Sequence, residues 1–363
     1  MSFTNAGRSR EKIALEIAVF IMSRPPTEAD RLRKIVAAFP RVTVTVLGDM
    51  VADEFVVGEI SRVSREAPVL ILRHRERTVV PGGGANAVNN LADLGVNVLP
   101  VGIVGNDDAG RLLLRAFRHK RIPVTGILKD KSYPTVTKTR ILAGMPHTWR
   151  QQVVRIDREP ETMPGRHLAR DIVFAAHEYL RASDALLVSD YGYGAATPEI
   201  VDAARAKGQA DSVPVVLDSR HRMLEFSGVT AATPNEAEVE EALGVKIGQD
   251  WDTLCTAGDA IVSRMKLKSL VITRGRDGMV AFSGKHKPIN IPVFGSDQVT
   301  DVTGAGDTVI ATFTAALAAG ATAEEAAHLA NYAGGIVVMK RGTATVSQQE
   351  LLDAIGQAPP PNK

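Results

Sequence analysis

Short apolar, β-rich runs that end on polar residues, separated by amphipathic helical stretches, constrain this chain more than any other feature. RVTVTVLGD (41–49), VNVLPVGIVG (96–105), DALLVSDYG (184–192), VPVVLDSR (213–220), VTAATPNE (229–236) and SLVITRG (269–275) share the design. Helix-like segments such as ANAVNNLADLG (85–95) and TPEIVDAARAKG (197–208) lie between them. Strands that are apolar on both faces and alternate with helices call for a mainly parallel sheet covered on both sides, an α/β fold. Ligands on such sheets bind beyond the carboxyl ends of the strands. Those ends carry the polar residues here, so the site is expected along that edge.

Two segments break the alternation. Residues 54–80 and 135–159 are β-rich and charged, with no helix between strands. They predict a small separate sheet serving as a lid over the site, a dimer surface, or both; two decorative hairpins are the plainer alternative. The domain expected from these patterns covers 41–355, preceded by an extension and first helix (1–40) and followed by a disordered tail (356–363) ending QAPPPNK.

Composition removes several functional classes. Lys+Arg is 43 against Asp+Glu 41, so no overall basic field argues for nucleic acid, and an anionic ligand needs a local site. The single cysteine, Cys255, excludes an intramolecular disulfide and a cysteine-based zinc cluster, and fits a reducing cytoplasm. No apolar run approaches the ~20 residues of a membrane span. KIALEIAVFIM (12–22) has a faint secretory-leader character, but Glu16 interrupts it and RPP stands where small cleavage-site residues belong. Translation from Met22 is an equally simple account of residues 1–21.

Three motifs carry chemistry. In DVTGAGDT (301–308) two glycines precede an Ala-rich helix, where free N–H groups and the helix dipole favour an anion. The amides of Gly304, Ala305 and Gly306 are expected to converge on a phosphate. Asp307 beside them makes sense as a base taking the proton of an attacking hydroxyl; a capped glycine turn is the alternative. In TPNEAEVEEALG (233–244), Asn235 and Glu238 offer oxygens that suit Mg²⁺, although Asn followed by a first-turn Glu is equally plain capping chemistry. In VVPGGGANAVNNLADLG (79–95), GGGANA fits a dinucleotide-binding pattern formally. Its context fails, because it follows the charged inserted sheet and no ribose-binding acid ends the next strand. Asn86, Asn90 and the glycines better suit hydrogen bonds to hydroxyls. No Walker-type loop, protein-kinase signature or HExxH pattern occurs.

Together these stretches resemble the PfkB/ribokinase family of sugar kinases from about residue 42 to 355. Within that family they resemble the heptose-7-phosphate 1-kinase branch, through SRVSREAPV, DVTGAGDTVI and GTATVS. The resemblance implies a ribokinase-like three-layer α/β/α sandwich with a small β-sheet lid that also mediates a homodimer. It implies ATP and Mg²⁺ as cofactors, leaves a monovalent cation open, and makes a sugar or sugar phosphate the partner. Asp307 becomes the general base, with Gly304, Ala305 and Gly306 as the anion hole. Asn235 and Glu238 attend the nucleotide phosphates and Mg²⁺, Glu238 being the metal-linked residue. Thr273, Arg274, Gly275 and Gly278 lie along the nucleotide, and Asn331 walls the adenine. Asp49, Asp53, Gly83, Gly84, Asn86, Asn90 and Asp190 match sugar-binding positions.

Two departures bear on the acceptor. The branch usually reads SDYxKG and Asp-Pro-Lys, where this chain has SDYGYG, with Tyr193, and Asp218-Ser219-Arg220. A distal phosphate on the acceptor needs cations, and Arg220, Arg140, Lys138 and Arg155 are the candidates. The expected acceptor is O1 of D-glycero-D-manno-heptose 7-phosphate. Another sugar, sugar phosphate or nucleoside, or a catalytically silent binding regulator, are the other readings. Bifunctional members of the branch carry a nucleotidyltransferase domain as well, and only the kinase part is expected here.

Overall fold

Along the first apolar run, consecutive side chains point to opposite faces, as the pleat of a strand requires. Val44 and Val46 enter one core while Leu47 enters another on the far side of the sheet. Ala185 and Leu187 likewise face the first core, and Leu186 and Val188 the second. Each of these valines and leucines, fully removed from water, contributes about 1.5–3 kcal/mol. The computed structural model of the chain describes residues 27–145, 150–206, 213–284, 286–295 and 300–357.

The strands in chain order are β1 (Thr43–Gly48), β2 (Met50–Val63), β3 (Leu70–Gly83), β4 (Asn97–Gly105), β5 (Ile127–Asp130), β6 (Thr137–Gly144) and β7 (Gln151–Arg158). There follow β8 (Ala185–Asp190), β9 (Val215–Ser219), β10 (Ala231–Ala232), β11 (Ser269–Thr273), β12 (Met279–Ser283) and β13 (Ile289–Ile291). A nine-stranded sheet has the order β13-β12-β11-β10-β9-β8-β1-β4-β5. It is parallel except where β12 pairs with β11 and β13. Helices Glu28–Ala38, Gly84–Asp93, Asp108–His119, Ala305–Ala318, Ala323–Val337 and Gln348–Gln357 supply one core. Helices Arg166–Leu180, Pro198–Ala206, Glu236–Leu243 and Trp251–Met265 supply the other. The result is the expected three-layer α/β/α arrangement.

The segments that break the alternation form a second sheet, β3-β2-β6-β7. β2 is antiparallel to β3 and parallel to β6, and β7 closes the row antiparallel to β6. This sheet begins at Met50, one residue after Asp49, and runs back to Gly83 at the start of the helix Gly84–Asp93. It therefore grows directly from the carboxyl edge of the large sheet, without a linker on that side.

The helix Glu28–Ala38 opens on a reciprocal cap between Thr27 and Asp30, and buries Leu32, Ile35 and Val36 in the first core. The helix Gln348–Gln357 packs Leu351, Ala354 and Ile355 into that same core and ends two residues after 355, on the exposed Gly356 and Gln357. Both readings of residues 1–21, and most of the tail, lie outside the described residues. Among the described residues no helix is long and apolar enough to cross a membrane.

Candidate active site

From β1 the chain winds to β4 and β5 on one side and later returns to β8, β9, β10 and β11 on the other. The carboxyl ends of β1 and β8 thus flank the point where the strand order reverses, the place where ligands bind in such sheets. Asp49 ends the first run there. Its carboxylate accepts the amides of Tyr191, Tyr193 and Ala195 at 2.8, 3.0 and 2.9 Å. Burial pushes its carboxyl up to about 6, against the pull of those amides and with a further push from Asp190. Asp49 was expected to bind sugar; instead all of its bonds go inward, fastening the loop after β8.

That loop delivers Tyr191, whose hydroxyl donates to Oδ1 of Asp307 at 2.8 Å. The other oxygen, Oδ2, accepts the Asn86 amide at 2.9 Å. Asn90 donates to Asn86, and its own carbonyl takes the Thr308 hydroxyl, so three side chains brace the start of the helix Ala305–Ala318. Asn86 and Asn90 are fully buried, and Asn86 donates to Asp307 while Asn90 donates to Asn86; the hydroxyl-binding role read from GGGANA does not match these bonds. Gly84 packs against the Asp49 backbone, where a Cβ would come within 2.9 Å. Burial pushes the Asp307 carboxyl up to about 7, with Asp53 adding to the rise and Asn86, Tyr191 and Arg220 opposing it.

At this helix start Gly304 adopts a left-handed conformation (φ 79°), and among the described residues no side chain caps the first turn. The expected trio of amides needs one correction: the Ala305 N–H donates to the Val302 carbonyl at 3.2 Å. Gly304 and Gly306 line a cavity of about 370 Å³ together with Asp307.

One side of this cavity is acidic and amide-rich. Asn235 and Glu238 reach it, and they also form a reciprocal cap, each donating its N–H to the other's side chain at 2.9 Å. The capping reading of this pair is thus formed, by two residues that also line the cavity. Burial raises the Glu238 carboxyl above its usual range. Asp218, at the end of β9, is pushed well up by burial and by the charges of Glu238, Asp307 and Asp190. Thr233 is buried on the same wall, and its hydroxyl has no partner among the described residues. Thr273 also lines the cavity. Arg274, Gly275 and Gly278 form the tight turn after it, with Arg274 paired to Glu236 at 3.0 Å, so they stand behind the wall. Asn331 donates to the Pro292 carbonyl at 2.8 Å and is not part of this wall.

Cations line the same cavity, and Arg220 bears directly on Asp218, Glu238 and Asp307. They are Lys138, Arg140, Arg155 and Arg220, spread over three segments. Arg140 binds Asp53 at 2.5 Å, and Thr343 donates to the second Asp53 oxygen at 3.2 Å. Lys138 lies 3.0 Å from the Tyr193 hydroxyl and 3.6 Å from Asp157, and burial pulls its ammonium down. Tyr193 in turn donates to Glu159 at 2.6 Å. Arg155 pairs with Asp157. Arg220 has no ion pair among the described residues and lies 6.0 Å above the Tyr191 ring. Asp190, expected at the sugar, reaches the cavity wall but is bound by Arg222 and Ser219. Gly83, with φ 51°, lines the cavity; a Cβ there would sit 3.2 Å from the Tyr191 ring.

Sequence reasoning did not single out Tyr191, Asp218 or Thr233. Asp218 had a signal, since it ends an apolar run just as Asp49 and Asp190 do. Tyr191 and Thr233 had none of comparable strength.

Comparison with known proteins agrees with the fold. A sequence model described as pfkB family carbohydrate kinase matches residues 44–350. The bifunctional protein HldE of Geobacter sulfurreducens is 38% identical over 330 residues, covering 91% of this chain and 66% of that protein. HldE of Gluconobacter oxydans is 39% identical over 310 residues, covering 85% of this chain and 63% of its own length. The chain thus spans a little under two thirds of these curated relatives. Among solved structures, Arabidopsis thaliana ribokinase complexed with ribose and ATP is similar at a TM-score of 0.65 and 20% identity, covering 86% of this chain and 98% of that one. Phosphofructokinase-2 from Escherichia coli, in complex with substrates and products, is similar at 0.71 and 19%, covering 87% and 99%. At these identities the structural likeness concerns the fold.

Proposed function

The chain belongs to the pfkB family of carbohydrate kinases, and we propose that it transfers the γ-phosphoryl group of ATP to O1 of a heptose 7-phosphate. The observation that carries this reading is a buried carboxylate, Asp307, at a helix start with no side-chain cap among the described residues, lining a cavity whose wall carries both carboxylates and cations. In the transfer, the acceptor oxygen forms a bond to the γ-phosphorus as the bond to the β,γ-bridging oxygen breaks. The acceptor's proton passes to Asp307, and ADP leaves. The Gly304 and Gly306 amides face the phosphoryl oxygens.

The oxygen donors on the acidic side suit a hard divalent cation: Glu238, Asp218 and the orphaned Thr233 hydroxyl. Mg²⁺ held there would neutralise charge on the nucleotide phosphates. Glu238 would act through water, since its carboxylate also caps its own helix. Among the described residues Arg220 is the lining cation without an ion pair, and with Lys138 it suits the acceptor's distal phosphate. Tyr193, in place of the lysine usual in this branch, favours a second reading in which a different sugar phosphate is the acceptor.

A cytoplasmic homodimer joined through the small sheet completes the proposal. It is supported by β7, an edge strand exposed along its whole length, with Val153, Val154 and Ile156 in the open. ADP release measured over heptose 7-phosphate, other sugar phosphates, free sugars and nucleosides tests the substrate. Turnover confined to unphosphorylated sugars would overturn the phosphate-reading role of the cations while leaving the kinase.

A further inference from the structure

We propose that Tyr191 is the positioning residue for the base: its phenol holds Oδ1 of Asp307 while Asn86 holds Oδ2, fixing the carboxylate towards the acceptor hydroxyl. The inference rests on Asp307 acting as the base. With one donor on each oxygen the carboxylate cannot rotate, yet each oxygen keeps a lone pair for the incoming proton. Burial and the neighbouring Asp307 charge push the phenol far above its ordinary range, so Tyr191 acts only as a donor.

Tyr191 is itself held on three sides. Its amide donates to Asp49, its ring fits against Gly83, and Arg220 covers the ring face. Asp49 is thus coupled to the base through the loop after β8, joining the switch point of the sheet to the helix Ala305–Ala318. The charged groups bearing on Asp307 are Asp53 from β2 and Asp218 and Arg220 from the end of β9. Tyr191→Phe leaves all of them in place and removes only the hydroxyl.

The test is the pH profile of kcat/KM for the sugar acceptor. Losing a donor to a charged oxygen should move the acidic limb of Tyr191→Phe up by about one pH unit. Activity should recover on the alkaline side, and the KM for ATP should change less than about threefold. A loss of equal size at every pH, or an unmoved limb, overturns the proposal. Replacing Tyr191 with 3-fluorotyrosine keeps the ring and strengthens the donor, so the limb should move the opposite way; no movement again overturns it. Carbon-13 titration of the Asp307 carboxyl in the nucleotide-free protein, assigned by its loss in Asp307→Asn, reads the same bond without turnover. If that titration moves in Tyr191→Phe while no sugar is phosphorylated, the kinase reading fails and the positioning stands.

Discussion

Burial alone would leave Asp307 a protonated acid at neutral pH; two neutral donors and Arg220 bring it back to about 7, where a base can work. Asp307→Asn should retain nucleotide binding and lose turnover by roughly 10²–10⁴-fold, read as kcat against the Kd for ATP. The same residue makes a stability prediction. Its folded-state pKa lies above the ordinary value of 3.8, so its contribution is present below pH 4 and lost as pH rises through 7. Asp307→Asn should therefore lose this pH dependence: the parent's unfolding free energy falls as pH rises through about 7, while the variant's stays nearly level across that range, read by urea unfolding. Glu238→Gln separates the two roles of that side chain. Glutamine can still accept the Asn235 amide, so Tm should hold within a few degrees while the Mg²⁺ concentration needed for half-maximal rate rises at least ~10-fold. An unchanged requirement would leave Glu238 a helix cap only.

At the scale of elements, the candidate site is a meeting of helix starts and strand ends; the cap at Asn235 is local, whereas the bonds around Asp49 and Asp307 are invisible in local sequence. The loop after β8 depends on one carboxylate beneath it. Asp49→Ala orphans three amides, and at about 1 kcal/mol per bond it should destabilise the fold by ~2–4 kcal/mol in urea unfolding. It should also lower kcat through Tyr191. Gly304 fails differently. Its left-handed backbone and the Asn86 amide, 2.5 Å from where a Cβ would stand, leave no room for alanine. Gly304→Ala should displace Asn86 from Asp307 and depress kcat more than KM. Periodicity made these strands and helices legible, along with the glycines and acids at their ends. The directions of the Asp49, Asn86 and Asn90 side chains were not legible, because partners 4 to 221 residues away set them.

At the scale of the whole molecule, two sheets share one edge, and the smaller stands over the carboxyl end of the larger. A wider cleft of about 1250 Å³ under the small sheet meets the catalytic cavity at Arg140 and Thr303. Motion of that sheet would therefore carry Arg140 and Lys138 with it. Edge strands with exposed apolar residues invite pairing unless they are covered. Ile156→Arg in β7 should turn a dimer into a monomer in sedimentation velocity without lowering Tm by more than a few degrees; a persistent dimer would place the interface elsewhere.

By itself the sequence determined the layered α/β body, the position of the small sheet, and the strand and helix ends that carry the chemistry. Those follow from local periodicity and from residues with few conformational alternatives. Only the tertiary structure decided which polar residues face the cavity and which hold it up. Gly84, Asn86 and the aspartate closing the first strand became supports, while Gly83, Asp218, Thr233 and Tyr191 came to the wall. The physical reason is that a buried polar group must be satisfied by whatever lies across from it. What lies across is settled by the packing of distant segments.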